Sequence, residues 1–102
     1  MPWLSIVMPC LNAVETINRS LDSIDSQRVL GVEVIVADGG STDGTIDILA
    51  SRPDVSWHSE PDAGLSDAFN KGAARSTGEI LGWLNADDVD LPGALAAVHA
   101  AF

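Results

Sequence analysis

The sequence has one cysteine, Cys10, in 102 residues. A lone thiol excludes an intramolecular disulfide and cannot build a cysteine cluster for zinc. Basic residues are scarce as well: five Lys and Arg stand against fifteen Asp and Glu, for a net charge of -10. Such a surface repels nucleic-acid backbones and has no basic stripe to offset that repulsion, so no nucleic-acid partner is expected. No apolar run approaches the roughly 18 residues that span a bilayer. The N-terminus lacks the basic region, long apolar core and small-residue cleavage site of a signal peptide, so a cytoplasmic location is the expectation. The same acidity would repel a nucleotide diphosphate unless a cation sat between them. A phosphate-bearing ligand here therefore argues for a divalent metal.

What is present is globular in kind. Hydrophobic residues make up 46% of the chain, and its length allows at most one small domain. Apolar β-rich runs alternate with segments of helical period. Leu4 to Met8 reads as a buried strand closed by Pro9. From Asn12 the pattern changes: Val14, Ile17, Leu21 and Ile24 recur at three- and four-residue steps, with Asn12 and Glu15 placed as a capping-box start. Val32 to Ala37 is a second strand, running into the turn chemistry of Asp38-Gly39-Gly40-Ser41-Thr42-Asp43-Gly44. There Ser41 or Thr42 is placed to cap a short helix holding Ile46, Ile48 and Leu49. Val55 to Ser59 is a weaker third strand. After Gly64 a helix carries Leu65, Ala68, Phe69 and Ala73 on one side. Glu79 to Leu84 is the fourth strand, and a last helix from about Pro92 carries Leu95, Val98 and Phe102.

The order βαβαβαβα, with short connections and no repeat, predicts an α/β, Rossmann-like, mostly parallel sheet flanked by helices. Ligands in such sheets bind outside the carboxyl ends of the strands. That rule picks out Pro9 to Asn12, Asp38 to Asp43, Glu60 to Gly64 and Asn85 to Asp88, where the polar, glycine and acidic residues concentrate.

Three groups carry candidate chemistry. Asp87 and Asp88 are adjacent carboxylates after a buried strand, a costly pair that Mg²⁺ or Mn²⁺ would neutralise while bridging to substrate phosphates. Alternatively they place negative charge at the start of the next helix, where Asp90 could serve without them. Asp38 ends a strand before two glycines and could accept from a base N–H or a ribose hydroxyl; an Asx-type turn is the other reading. Asp62 and Lys71, in the stretch from Glu60 to Gly72, could touch a ligand or be solvated surface charges. His58 and His99 have no partner at metal-ligand spacing, and Trp3, Trp57 and Trp83 on strands are expected in the core.

Four blocks together resemble glycosyltransferase family 2. Ser5-Ile6-Val7-Met8-Pro9-Cys10-Leu11-Asn12 resembles its opening strand. Val34 to Thr45 is similar to its second-strand motif, Glu60 to Gly72 to its third block, and Leu84-Asn85-Ala86-Asp87-Asp88 to its metal-binding "DXD" region. The resemblance implies a GT-A fold that binds a nucleotide-sugar, most often a UDP-sugar, through Mg²⁺ or Mn²⁺. It implies that Pro9 and Leu11, with Asn12 beside them, line the nucleoside pocket and that Asp38 contacts the base. It places Asp62, Lys71 and Asn85 among the nucleotide contacts, and Asp87 and Asp88 at the ribose and the metal–diphosphate. An acceptor hydroxyl, saccharide or lipid-linked, would attack the anomeric carbon with inversion. The chain departs from the common pattern at Asn85 (often Asp), at Gly39 (often a second Asp) and at Phe69 (often Arg). By resemblance a full catalytic domain is roughly twice this length, with its base C-terminal to these residues. Peripheral membrane association and a homodimer through exposed sheet edges are further expectations. Two other classes fit part of the pattern. An Mg²⁺-binding phosphoacceptor receiver would need its acidic pair after the first strand, which here ends in Pro9-Cys10-Leu11-Asn12. The other is a non-catalytic binding module of the same fold.

Overall fold

A computed structural model describes residues 3–25 and 31–86. Its elements run β1 (Leu4–Cys10), α1 (Ile17–Asp25), β2 (Val32–Asp38), α2 (Thr45–Ala50), β3 (Ser56–Ser59), α3 (Leu65–Ala73) and β4 (Ile80–Trp83). The expected last helix and the residues Asp87, Asp88, Asp90 and His99 lie outside the described residues. The four strands pair in parallel in the order β3-β2-β1-β4. Parallel neighbours cannot be joined by hairpins, so each helix serves as a crossover.

β1 lies inside the sheet, and all seven of its residues are buried. That is why it reads as a continuous apolar run rather than an alternating one. On one face Leu4, Ile6, Met8 and Cys10 pack with Ile17, Leu21 and Ile24 of α1 and with Leu49 of α2. On the other, Val7 meets α3 at Gly72, where a Cβ would stand 2.4 Å from Val7 Cγ1. Only glycine lets that helix approach so closely.

The element boundaries differ from the sequence reading in ways that matter for the site. β1 does not stop at Pro9 but continues to Cys10, paired throughout with β2. Successive residues of a parallel strand turn their peptide groups to opposite neighbours. Leu84 N donates to Val7 O, and Gly39 N donates to Cys10 O. The odd positions of β1 thus face β4 and the even ones face β2. Pro9 lacks its N–H on the β4 side alone, beyond the last β1–β4 pair, Val7 with Trp83. The proline ends one ladder and leaves the other intact.

α1 begins at Ile17, not at Asn12. Asn12 adopts a left-handed conformation, φ 52°, and its side chain is spent on a neighbouring loop. Neither Ser41 nor Thr42 caps α2. The helix starts after Gly44, with Thr45 N donating to Asp43 Oδ1 at 3.1 Å. Trp83 is 46% exposed rather than in the core, and its ring stacks on Phe69 with centroids 4.6 Å apart.

Candidate functional site

The site begins with the place where β1 and β4 part. β1 runs three residues past its last partner on β4, and the following loops leave a cleft of about 300 Å³ between the two carboxyl ends. It is lined by Pro9, Cys10, Leu11, Asn12 and Ala13 from the end of β1 and its loop, and by Thr16. Leu65 at the start of α3 and Asn85 and Ala86 after β4 complete it. The chain leaves β1 towards β2 and β3 on one side and reaches β4 on the other, so this is the switch point of the sheet, where open α/β folds bind ligands. The walls are mixed. Leu11 and Leu65 are 56% and 51% exposed and offer apolar surface, while Asn12, Thr16 and Asn85 offer polar groups. None of the lining residues is charged.

One wall is held by a buried carboxylate. Cys10, Asp38 and Ser59 stand in one register row across β1, β2 and β3. Asp38, 1% exposed, accepts from Gly40 N at 3.0 Å, Ser41 N at 2.8 Å, Ser59 Oγ at 2.8 Å and Cys10 Sγ at 3.1 Å, and also from Ser41 Oγ. Burial alone would raise this carboxyl, but the hydrogen bonds from Ser41, Ser59 and Cys10 outweigh it and hold it below the usual carboxylate value. For Cys10 burial comes first, and the facing Asp38 carboxylate adds to it, pushing the thiol far above its ordinary range. It remains a protonated donor, inert as a nucleophile.

From Asp38 the order passes to the cleft. Ser41 Oγ, donating to Asp38, accepts from Asn12 N at 2.8 Å. Asn12 Oδ1 in turn accepts from Thr42 N at 2.8 Å. Ala13 N donates to Thr45 Oγ1 at 3.0 Å and Val14 N to Asp43 Oδ2 at 3.1 Å. The β1–α1 loop, which forms one wall, is therefore stapled along its length to the β2–α2 loop. The turn signature from Asp38 to Gly44 encodes this scaffold.

Of the residues singled out in the sequence, Pro9, Leu11, Asn12 and Asn85 meet in the cleft. Asp38 stands behind it with its carboxylate occupied. Asp62 packs against the same turn: a Cβ on Gly39 would lie 2.7 Å from its Oδ2. A second aspartate at position 39 would be crowded there, so the glycine suits its neighbour. Lys71 is engaged on α3, donating to Pro61 O at 3.0 Å and pairing with Asp67 at 3.3 Å and Glu60 at 3.6 Å. His58 packs at the β3 edge with its side chain 8% exposed. Asp87 and Asp88 lie outside the described residues, directly after Ala86 of the cleft in sequence. Among the described residues no group of three or more His, Cys, Asp or Glu could hold a metal ion. Leu65, Ala13 and Thr16 were not marked from the sequence. Leu65 had a usable signal, because the first residue of a helix after a strand lies at the carboxyl edge of the sheet.

Comparison with known proteins agrees with this fold. Residues 5–102 match the family described as glycosyl transferase family 2. A PGL/p-HBAD biosynthesis glycosyltransferase of Mycobacterium bovis is 39% identical over 94 residues, covering 85% of this chain and 36% of that protein. Chondroitin synthase of Pasteurella multocida is 33% identical over 98 residues, covering 92% of this chain and 10% of that one. The chain thus spans about a third of the mycobacterial relative's length and less of the synthase's. Among solved structures, S. aureus TarS 1-349 superposes with a TM-score of 0.86 at 24% identity, over 98% of this chain and 32% of that one. The mannosyltransferase PcManGT from Pyrobaculum calidifontis, in complex with GDP-Man and Mn2+, gives 0.81 at 30% identity, over 93% of this chain and 30% of that one. The fold is the GT-A type of these enzymes.

Proposed function

The chain belongs to glycosyl transferase family 2, and from that premise we propose that its cleft holds the nucleotide part of a nucleotide-diphospho-sugar donor. The observation that carries the proposal is the cleft's place and lining: an uncharged pocket of mixed polarity at the switch point, from which the chain leads directly into Asp87-Asp88. Leu11 and Leu65 offer apolar surface to the flat rings of a nucleoside, with the buried Pro9 behind them. Asn12, Thr16 and Asn85 offer hydrogen bonds to its ribose. A UDP-sugar is the donor favoured by the resemblance, and the GDP-Man complex of the mannosyltransferase relative supports the wider class.

The charges support a cation. No lining residue is basic, and the protein carries a net charge of -10, so a diphosphate has nothing described in the cleft to neutralise it. Asp87 and Asp88 would hold Mg²⁺ or Mn²⁺, as hard oxygen donors suit either ion. Bound there, the ion would supply Lewis-acid neutralisation of the diphosphate leaving group. In the whole protein the sugar passes to a hydroxyl of a saccharide or lipid-linked acceptor with inversion at the anomeric carbon. The residues of the cleft bind and orient the donor for that step.

Calorimetric titration with UDP and with GDP, with and without Mn²⁺, tests the proposal. Binding that needs the ion and disappears in Asp87→Ala/Asp88→Ala supports it. Binding of neither nucleotide under any condition overturns it.

A further inference from the structure

The cleft carries an asymmetry that the family resemblance does not supply. Trp83 Nε1 donates to Asn85 Oδ1 at 2.8 Å. An indole N–H is a donor only, so the group that faces it must be the amide oxygen, and this fixes which way round the Asn85 side chain stands. Trp83 is itself braced, its ring lying at 14° to that of Phe69. With the oxygen taken on the tryptophan side, the amino end of the amide is left to serve the cleft that Asn85 lines. Among the described residues Asn85 Nδ2 has no acceptor.

We propose that Trp83 is a positioning residue that turns Asn85 into a hydrogen-bond donor towards the ligand. An aspartate at this place would present an acceptor instead. Asn85 therefore reads an acceptor oxygen of the nucleotide, on its ribose or on its phosphate, and does so without adding a third carboxylate to the stretch of sequence that ends in Asp87-Asp88. The inference rests on the nucleotide reading of the cleft, but the orientation of the amide can be measured without any ligand.

The test is a double-mutant cycle on the whole 102-residue chain. Trp83→Phe keeps a smaller ring to stack on Phe69 and removes the N–H. Asn85→Ala removes the amide. Each single variant is expected to weaken UDP binding in Mg²⁺ about five-fold, the worth of one hydrogen bond. The double variant is expected to be no weaker than either. A loss shared by uridine places the acceptor on the ribose; a loss confined to UMP and UDP places it on the phosphate. Losses that multiply, or wild-type binding by Trp83→Phe, overturn the positioning role. Asn85→Asp keeps the bond from Trp83 but replaces the donor, so it is expected to bind at least as weakly as Asn85→Ala; tighter binding overturns the donor assignment. Separately, the Trp83 indole proton of the ligand-free chain is followed by NMR. It should shift and exchange faster in Asn85→Ala but stay protected in Asn85→Asp. An indifferent indole overturns this inference alone, whereas a wild-type chain that binds no nucleotide overturns the functional reading.

Discussion

Replacing Asp38 with alanine should destabilise the whole domain, because the carboxylate is a structural centre rather than an exposed contact. It is 1% exposed and accepts from Gly40 N, Ser41 N, Ser41 Oγ, Ser59 Oγ and Cys10 Sγ. Hydrogen bonds to a charged group contribute about 1.5–3 kcal/mol each, but they share one acceptor and do not add. Removing the shared acceptor leaves several buried neutral donors unsatisfied, at about 1–3 kcal/mol for each, so a total of about 3 kcal/mol or more is expected. Against a typical total of about 5–15 kcal/mol this is a large fraction. At about 4–8 °C per kcal/mol for a domain near this size, the melting temperature should fall by about 12 °C or more. Differential scanning calorimetry or thermal circular dichroism reads it. Ser41→Ala, which cuts the link from Asp38 to Asn12 N, should lower it by a smaller amount in the same direction. A fall of less than about 4 °C in Asp38→Ala, together with a loss of UDP binding, would refute the reasoning and make Asp38 a ligand contact.

Three further outcomes follow from the same geometry. Gly72→Ala places a Cβ 2.4 Å from Val7 Cγ1, so overpacking should cost about 1–3 kcal/mol in urea unfolding, and Val7→Ala in the same chain should recover part of it. Asp38 is held below its unfolded value; the stability this gives is complete above about pH 4 and is lost as pH falls through the folded value. An acid titration of the melting temperature should therefore show a steeper decline in wild type than in Asp38→Asn. Cys10, buried and facing a carboxylate, should react with iodoacetamide at pH 8 only as fast as the protein unfolds, with full labelling in urea.

The alternation of strands and helices was legible because β1 and β2 are apolar runs rich in Val and Ile and the helices carry apolar stripes, while β3, Ser56-Trp57-His58-Ser59, was the weaker signal. The carboxyl-end rule likewise brought Pro9, Leu11, Asn12 and Asn85 to one place, since topology alone fixes which strand ends lie together. The boundaries were less legible. Pro9 looked like a strand terminator, yet a proline removes a donor on one side only, and here it ends pairing with β4 while pairing with β2 continues. Asn12 looked like a helix cap because asparagine suits caps and left-handed positions equally, and tertiary bonds to Ser41 and Thr42 decided between them. The occupancy of Asp38 was readable in part: the Asx-type turn is there, in the bonds from Gly40 N and Ser41 N to its carboxylate, but the other half was hidden. Its partners Cys10 and Ser59 come from strands on either side, 28 and 21 residues away in sequence, so only the register of the sheet brings them together. Trp83 was expected inside because large aromatics on strands usually are, but β4 has a described neighbour on one side only, β1.

The central claim, that the gap between β1 and β4 is a nucleotide site, is tested most directly by titrating the isotope-labelled chain with UDP and Mg²⁺ and following its backbone amides by NMR. The account predicts saturable shifts concentrated at Leu11, Asn12, Ala13, Leu65, Asn85 and Ala86, abolished when Mg²⁺ is chelated. Shifts confined to the opposite end of the sheet, around Glu33 and Thr77, or no shifts at millimolar UDP, would contradict it.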